Sequence, residues 1–550
     1  AVNSPRTIRV KLRVYGSVLH VPGKFPTIQS AIGSALDGDT VLVSDGNYTG
    51  NGNRDIRLFG KAITVKSENG PASCIIDCQG SESDPHRGFY LFQTGEDANS
   101  VIEGFTIRNG YVNDEIWAPD MQYEGGGIYC VSTKPTIKNC IIENCYAYSS
   151  GGGICSYHND PANGILIENC VFRGNRTLQF GGGAVFGGDG LYGGTFKIRN
   201  CIFQGNQAQY GGGIFSYAYG LSEITNTTIS GNSSDVDGGG ILIYGGRPFE
   251  EIPKNEFIAT NCIFWNNTSV NGTEISLIND SKGYPYTPAE LTISFSDVKG
   301  GQDGIYVDSN CMLNWGQGNI YADPCFIDSD ANDFHLRSSS AAIDSGTETS
   351  AAGIGPYDIQ GNNRVIDGDY DGLETPDMGA YEYVPPPSLY PVIAISDHNF
   401  IFIAYQGEIN PEPQTFLIHN GGAGLIEWKI ADDCQWLSVT PTAGDSTLGT
   451  TEVVLSVDIS GLSRGIYKCQ LNIVDENAVK IPLTLSLTLN IFINGELHVP
   501  SEYGKIQDAI DSASNGDSII ISPGLYHENI NMLGKNIIIR SSDPNDSNII

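Results

Sequence analysis

The chain is 550 residues long, with 68 glycines and only 17% charged side chains, which argues against helical bundles and for an all-β protein of more than one domain. Its formal net charge of −33 excludes a general nucleic-acid binder, disfavours an anionic membrane surface, and leaves cations and neutral glycans as partners. No run of about 18 apolar residues occurs, so no segment reads as a transmembrane helix.

In chain order, residues 1–18 place Ile8, Val10, Leu12 and Val14 in the alternation shown again by Leu487, Leu489, Ile491 and Ile493, and read as the last strand of a preceding sandwich domain. A right-handed parallel β-helix is expected over 19–384. It opens with a short helical cap: Ile28, Ala31, Ile32 and Ala35 recur at helical spacing, and an uncapped first coil would leave backbone groups unpaired. Coils are expected from about Ile63 to about Val298, some nine or ten of them, making a rod on the order of 45 Å at about 4.8 Å per coil.

Two marks per coil set the register. Glycine triplets begin at Gly125, Gly151, Gly181, Gly211 and Gly238, at spacings of 26, 30, 30 and 27 residues, and predict tight corners with positive φ. Between them Asn169-Cys170-Val171-Phe172-Arg173-Gly174-Asn175 returns at Asn200 to Asn206, loosely at Asn226 to Asn232, and at Asn261 to Asn267. Phe172, Phe203, Ile229 and Phe264 then form one inward column, with Cys170, Cys201, Thr227 and Cys262 on the same side. Asn175, Asn206, Asn232 and Asn267 form a column at a turn, where amides satisfy backbone groups coil after coil. The Asn-x-Ser/Thr sites at Asn47, Asn175, Asn226, Asn232 and Asn271 accordingly read as polar turns and ladders rather than glycan acceptors.

From Asp323 to Glu382 thirteen acidic residues face only Arg337 and Arg364, and this stretch reads as the solenoid terminator. A proline linker follows at 385–390, and alternating runs over 391–494 predict an immunoglobulin-like β-sandwich. Residues 495–550 open a second β-helix copy. Leu19-His20-Val21-Pro22 returns as Leu497-His498-Val499-Pro500, an offset of 478 residues, and Gly60-Lys61 returns as Gly534-Lys535 after a four-residue deletion. The expectation is a frame from a tandem array, or a subunit whose ends join copies of itself.

The glycine-rich and Asn-Cys-x-Phe-x-x-Asn elements over about 100–270 resemble the coil repeats of the polymorphic outer-membrane protein family and other bacterial surface β-helices. The segment Asp333-Phe334-His335-Leu336 through Asp377-Met378-Gly379-Ala380-Tyr381-Glu382 resembles the closing segment of choice-of-anchor Q surface proteins, which implies export and a cell-surface, bacterial location. Asn420-Gly421-Gly422 and Trp436-Leu437-Ser438-Val439-Thr440-Pro441 resemble BACON-type domains, which implies carbohydrate association or a spacer role. Thr27-Ile28-Gln29-x-Ala31-Ile32 is similar to the opening of pectin methylesterases and pectate-lyase-like enzymes, but their catalytic strings do not follow: Asn53-Arg54-Asp55-Ile56 lacks the phenylalanine-bearing aspartate motif of the esterases.

Candidate chemistry is sparse. Asp367-Gly368-Asp369-Tyr370-Asp371-Gly372 has calcium-loop spacing, with Asp377 and Glu374 as further ligands of a calcium ion; the bland reading is a solvated acidic turn. Asp328, Asp330 and Asp333 make a weaker cluster. Asp160, Asp189 and Asp237 lie near the triplet corners as catalytic candidates for glycoside chemistry. Tyr157, Tyr210, Tyr217 and Tyr219 form either a sugar platform or ordinary packing. The in-register Cys140, Cys170, Cys201 and Cys262 read as buried thiols, whereas Cys434 with Cys469, and Cys311 with Cys325, read as candidate disulfides.

The leading functional expectation is a non-enzymatic extracellular structural or adhesive repeat protein, its partners copies of itself and extracellular glycans. A polysaccharide lyase or hydrolase and a glycan-binding surface receptor are the alternatives. The 478-residue recurrence favours the first, because a rod needs many copies and an enzyme one site.

Overall fold

The structure is a computed structural model and describes residues 16–113, 123–157, 164–188, 194–217, 220–245, 255–279, 288–350, 353–386, 390–397, 399–446, 449–475, 478, 483–492, 495–514 and 517–542. The chain divides into two units: one runs to Asp369 and includes Glu374–Pro385, and the other takes Tyr370–Leu373 and everything from Pro386. The expected β-helix boundary at 384 is therefore interrupted, because Leu373 packs on the core of the second unit.

The first unit is a parallel β-helix whose described strands form four walls of eleven, nine, five and eight strands. One coil runs Ile165–Glu168, Val171–Arg173, Arg176–Thr177 and Val185–Gly187, and each strand pairs in parallel with its counterpart one coil on: Ile165 with Phe196, Val171 with Ile202, Arg176 with Gln207, Val185 with Ile214. The eleven-stranded wall begins at Val18–Val21 and ends at Met312–Trp315, so the coils extend beyond the expected range at both ends. Val18 thus belongs to the solenoid rather than to a preceding strand, and residues 1–15 lie outside the described part.

Three inward columns explain the repeated string. Phe172 and Phe203 stack at 4.7 Å within a column that includes Ile229 and Phe264, all fully buried. Asn139, Asn169, Asn200, Asn226 and Asn261 turn the chain between the first and second walls with φ between 48° and 55°, a left-handed conformation asparagine tolerates well. The next residue in each, Cys140, Cys170, Cys201, Thr227 or Cys262, then points inward; the Cys201 backbone N–H donates to Thr227 Oγ1 and that of Cys262 to Ser296 Oγ. Burial pushes the Cys140, Cys170 and Cys262 thiols up, so these are inert space-filling groups.

The third column is an unbroken amide ladder. Asn175 Nδ2 donates to Asn206 Oδ1, Asn206 Nδ2 to Asn232 Oδ1, and Asn232 Nδ2 to Asn267 Oδ1, while each receiving Oδ1 also accepts the backbone N–H of the preceding asparagine. The ladder ends on Glu274, whose Oε2 accepts from both Asn267 N and Asn267 Nδ2. Glu274 follows a glycine triplet column from the opposite wall and is fully buried there.

Only one glycine per triplet is left-handed: Gly125, Gly151, Gly182, Gly211 and Gly238. The others are required by close approach between coils, as at Gly183, where a Cβ would stand 2.2 Å from the Gly212 carbonyl oxygen. Strand register aligns Gly182-Gly183-Ala184 with Gly151-Gly152-Gly153, so the third triplet starts one residue early.

The cap helix Ile28–Ser34 starts at Thr27 in a capping box and buries Ile28, Ala31 and Ile32 on the first coil. Lys61 Nζ donates to the carbonyls of Ile32, Gly33 and Ala35 at its C-terminal end.

The acidic segment after the coils is a lateral strap rather than an end plug. Thr347 N donates to Asn261 Oδ1, while Asn226 Nδ2 donates to Ile354 O and Asn200 Nδ2 to Tyr357 O, so the strap crosses three coils along their corner asparagines. Arg364, fully buried, pairs with Glu382 and donates to Asn200 Oδ1. Leu336, Ala342, Ile343 and Met378 cover Ile263 on the outer face of the second wall.

The second unit begins with a sandwich of a four-stranded and a five-stranded sheet, with Trp428, Phe402, Phe416, Leu455 and Leu485 in its core. Within the sandwich, the pairings among the described strands are antiparallel except Asn399–Tyr405 with Leu483–Phe492. After it, Glu496–Val499, the helix Ile506–Ser512, Ser518–Ile521 and Ile538–Ser541 rebuild the solenoid's opening. The match extends to single hydrogen bonds: Gln29 exchanges two with the Arg57 backbone and Gln507 two with that of Asn531, and Lys535 Nζ repeats Lys61 by donating to Ile510 O and Asp511 O.

Asn206→Ala removes the partners of several buried groups at once and should cost about 3 kcal/mol or more in urea unfolding, whereas Asn99→Ala in an exposed turn should stay within about 0.5 kcal/mol. Burial pushes Glu274 from 4.5 up to about 7, against the lowering effects of Asn267 and Lys299, so the folded state retains a proton that the unfolded state loses. The Glu274 contribution to stability should be full below about pH 4.5 and be lost, by on the order of 3 kcal/mol, as pH rises to about 7. Asp297 titrates in the same window, at about 7. Glu274→Gln should therefore reduce the decline in melting temperature measured between these pH values without abolishing it, because burial also pushes up the carboxyls of Asp297, Asp344, Asp377 and Glu382.

Candidate functional site

The fourth wall carries an aromatic row on its outer face, because its strands put alternate side chains outside. Along Ile154–Tyr157, Ile154 enters the solenoid core, while Cys155 and Tyr157 join a separate outer cluster with Tyr90, Tyr129, Phe186, Phe215 and Leu242. Phe186 meets Phe215 edge-on at 5.2 Å, and Tyr217 meets Tyr244 edge-on at 4.9 Å.

The two ends of this row differ. At the N-terminal end cations lie on the rings: Arg57 sits 4.5 Å from the Tyr90 centroid, and Arg87, almost fully buried, sits 5.3 Å from Tyr90 and 5.0 Å from Tyr129. Tyr157 is buried next along and donates its hydroxyl to Glu124 Oε1 at 2.5 Å. Toward the C-terminal end the row opens into a groove of about 690 Å³. Its apolar surface comes from Phe180, Phe186, Tyr210, Phe215, Tyr217 and Tyr244, with Phe180 55% exposed. Its polar surface comes from Asp237, Asn279, Asp308 and Ser309.

The two carboxylates are held by internal hydrogen bonds. Asp237 Oδ1 accepts from Asn271 Nδ2; Asp308 accepts the backbone N–H of Asn279 on Oδ2 and of Ser309 on Oδ1. Asn279 is 5% exposed, and its buried Oδ1 has no hydrogen-bond partner among the described residues.

Of the sequence candidates, the groove brings together Tyr210, Tyr217 and Asp237, and places Tyr157 in the packed part of the row. Asp160, Asp189 and Tyr219 lie outside the described residues. Sequence reasoning missed Tyr244, Asp308 and Asn279. Tyr244 carried a signal, since Tyr157, Tyr217 and Tyr244 each fall three residues after the isoleucine that follows a glycine triplet; Asp308 and Asn279 carried none.

In the acidic strap, ligand oxygens of Asp344, Asp367 and Asp369 lie within 4.8 Å of one another. Burial pushes Asp344 up to about 8, with Asp377 and Asp369 adding to the rise against hydrogen bonds from the Gly368 and Asp369 backbone. Asp371, Glu374 and Asp377 are not in this group: Asp371 accepts the Leu373 N–H, Glu374 is exposed, and buried Asp377 accepts the Asp344 and Tyr383 N–H groups. Asp328 caps a short turn at Ala331, and Asp333 pairs with His335. Cys434 and Cys469 form a disulfide in the sandwich. Cys311 and Cys325 are free, a correction to the expected bridge: Cys311 packs on the last coil, whereas Cys325 leads into the hairpin of Phe326–Asp328 with Asp333–Leu336.

No family model matches the chain, and no curated protein matches it in sequence. Among solved structures, it is similar to the PL6 family alginate lyase AlyGC at 12% identity, over 96% of this chain and 67% of that one, with a TM-score of 0.25. It is also similar to a Bacteroides ovatus GH5 xyloglucanase in complex with a XXXG heptasaccharide, at 13% identity over 19% of this chain and 21% of that one, with a TM-score of 0.14. A PapD-like domain of human CEP192 matches at 14% identity over 22% of this chain and 99% of that one, with a TM-score of 0.17. The chain spans only 21% of the length of the xyloglucanase. Likeness at these scores carries no argument about chemistry, and the fold reading rests on the chain's own strand pairing.

Proposed function

We propose that the chain is an extracellular, glycan-binding repeat protein of a bacterial surface, in which the aromatic groove receives a polysaccharide strand and tandem solenoid units add avidity. The observation that carries this reading is the open groove of about 690 Å³ with Tyr210, Tyr217 and Tyr244 beside fixed acceptors. Aromatic faces cover the C–H faces of sugar rings, and polar groups set into a mostly apolar cleft orient the hydroxyls. The hydrogen-bond-level repeat of the cap supports the tandem element, and repeated weak sites gain affinity through effective concentration. The sandwich disulfide supports an oxidising compartment.

Two carboxylates in one groove favour glycoside hydrolysis as a second reading. Against it, both Asp308 oxygens and one Asp237 oxygen already accept internal hydrogen bonds. The lyase form needs a base, and no Lys, Arg or His is among the described lining residues.

We also propose that Asp344, Asp367 and Asp369 hold calcium, because three hard oxygen donors in close approach are the chemistry that ion takes. Bound there, the ion would neutralise their mutual repulsion and brace the strap.

Tyr217→Ala should weaken binding to the oligosaccharide that the native protein prefers by at least tenfold, about 1.4 kcal/mol, with the melting temperature little changed. A calorimetric panel that shows no oligosaccharide binding removes the reading, and release of shortened products would move it to hydrolysis. Added calcium should raise the melting temperature of the native protein, chelator should lower it, and Asp367→Asn should abolish the difference; an unchanged transition in the native protein rejects the ion.

A further inference from the structure

The turn that precedes the strand Phe89–Phe92 holds a set of groups that neither the groove nor the strap uses. Ser81-Glu82-Ser83-Asp84 closes on itself: the Ser81 N–H donates to the Asp84 carbonyl oxygen at 3.0 Å, and the Asp84 N–H donates to Ser81 O and Oγ at 3.2 and 3.1 Å. Asn113 Nδ2 holds the turn by donating to Glu82 O at 2.7 Å. The Asp84 side chain, 64% exposed, has one oxygen 3.1 Å from His86 Nε2 and the other 3.3 Å from the Arg54 guanidinium. On the far side of the imidazole, His86 Nδ1 lies 2.5 Å from Asp55 Oδ2, and Asp55 is itself fixed at φ 50° with its other oxygen accepting the Arg87 N–H. With a carboxylate on each ring nitrogen, the imidazole satisfies both when both nitrogens carry a proton. Pro85 lies between the two residues so arranged, and its nitrogen, which has no N–H, cannot close an imide on the Asp84 side chain.

We propose that the chain cuts its own backbone between Asp84 and Pro85, with the Asp84 carboxylate as nucleophile, His86 as general acid, and the Ser81 N–H polarising the carbonyl under attack. This activity is independent of glycan binding. A carboxylate oxygen of Asp84 bonds to the carbon of its own main-chain carbonyl and closes a cyclic anhydride; the carbon–nitrogen bond to Pro85 breaks, and the nitrogen takes the His86 Nε2 proton. Water then opens the anhydride to two carboxylates, and of the two protons released one returns to His86 and one goes to the Pro85 amine. Nothing beyond water is consumed. Attack within one residue needs no encounter, and the oxyanion that forms is already met by the Ser81 N–H. Arg54 orients the carboxylate and Asp55 the imidazole. The pieces stay joined after the cut, because Cys74–Asp77 remains paired with Gly46–Tyr48 and Thr106–Arg108, and Phe89–Phe92 with Ile128–Val131. The cap and the opening coils thus become a separate polypeptide, held by strand pairing and a shared core.

The test is incubation of the purified full chain with protease inhibitors at about pH 6, in the range where histidine exchanges protons, followed by denaturing electrophoresis and mass spectrometry. The native chain should yield pieces ending at Asp84 and beginning at Pro85, in first-order kinetics whose rate does not change with protein concentration. Hydroxylamine added during the incubation should leave a hydroxamate on Asp84, the mark of an anhydride. His86→Gln should slow the cut by about a hundredfold. Asp84→Glu keeps the charge beside Arg54 and His86 but enlarges the ring that must close, and should slow the cut by a similar factor with the melting temperature unchanged. Asp323-Pro324 is an internal control: the same bond is followed there by Cys325, whose N–H the Asp323 carboxylate accepts, and it should remain whole. A native chain still intact after prolonged incubation overturns the proposal, as does a rate proportional to concentration, which assigns the cut to a protease. Equal cutting at Asp323-Pro324, unchanged in His86→Gln, overturns it as ordinary acid lability of the bond.

Discussion

The solenoid depends on one requirement: at each second corner an inward backbone N–H must find an acceptor one coil away, in an interior that admits no water to supply it. Asn175, Asn206, Asn232 and Asn267 meet it by repeating the same amide. Because each asparagine is both donor and acceptor, the ladder needs something different where it stops, and Glu274 reaches across from another wall to provide an oxygen. The flat inter-coil glycines follow from the same closeness, since walls held at ladder distance leave no room for a Cβ at Gly183 or Gly212.

That requirement also explains what could be read in advance. A ladder forces the same residue type to recur once per coil, so the columns of Phe172, Cys170 and Asn175 were legible as a periodic string, as was the second cap from Leu497. The strap was not legible in its placement: its contacts with Asn200, Asn226 and Asn261 join residues more than eighty positions apart and leave no period in the sequence. The third triplet misled by one residue because glycine at 181 and alanine at 184 fill neighbouring roles that only the pairing of Ile154 with Val185 distinguishes. The same division holds at the groove. Tyr210, Tyr217 and Asp237 sit at repeat positions and could be named, whereas Asp308 and Asn279 come from the last coils, where the repeat has lapsed. In the acidic strap, spacing singled out Asp367 and Asp369, but Asp344 joins them from a different turn.

Charge organises the outer surface in a way composition alone conceals. A chain of net charge −33 places two arginines on its aromatic row at one end and carboxylates at the other, so the row has an internal polarity along the coil axis. The arginine-covered end is packed, with Tyr90, Tyr129 and Tyr157 buried, and the acidic end is the one that opens as a groove.

The strap has a consequence for how this solenoid can change length. A stack of similar coils ordinarily gains or loses one by simple duplication, since each coil touches only its neighbours. Here the strap is pinned to the corners of three successive coils at Asn200, Asn226 and Asn261. A coil inserted among them would move the anchors apart by about 4.8 Å and strand part of the strap's hydrogen bonding. A change in coil number between Asn200 and Asn261 would therefore break the register between stack and strap.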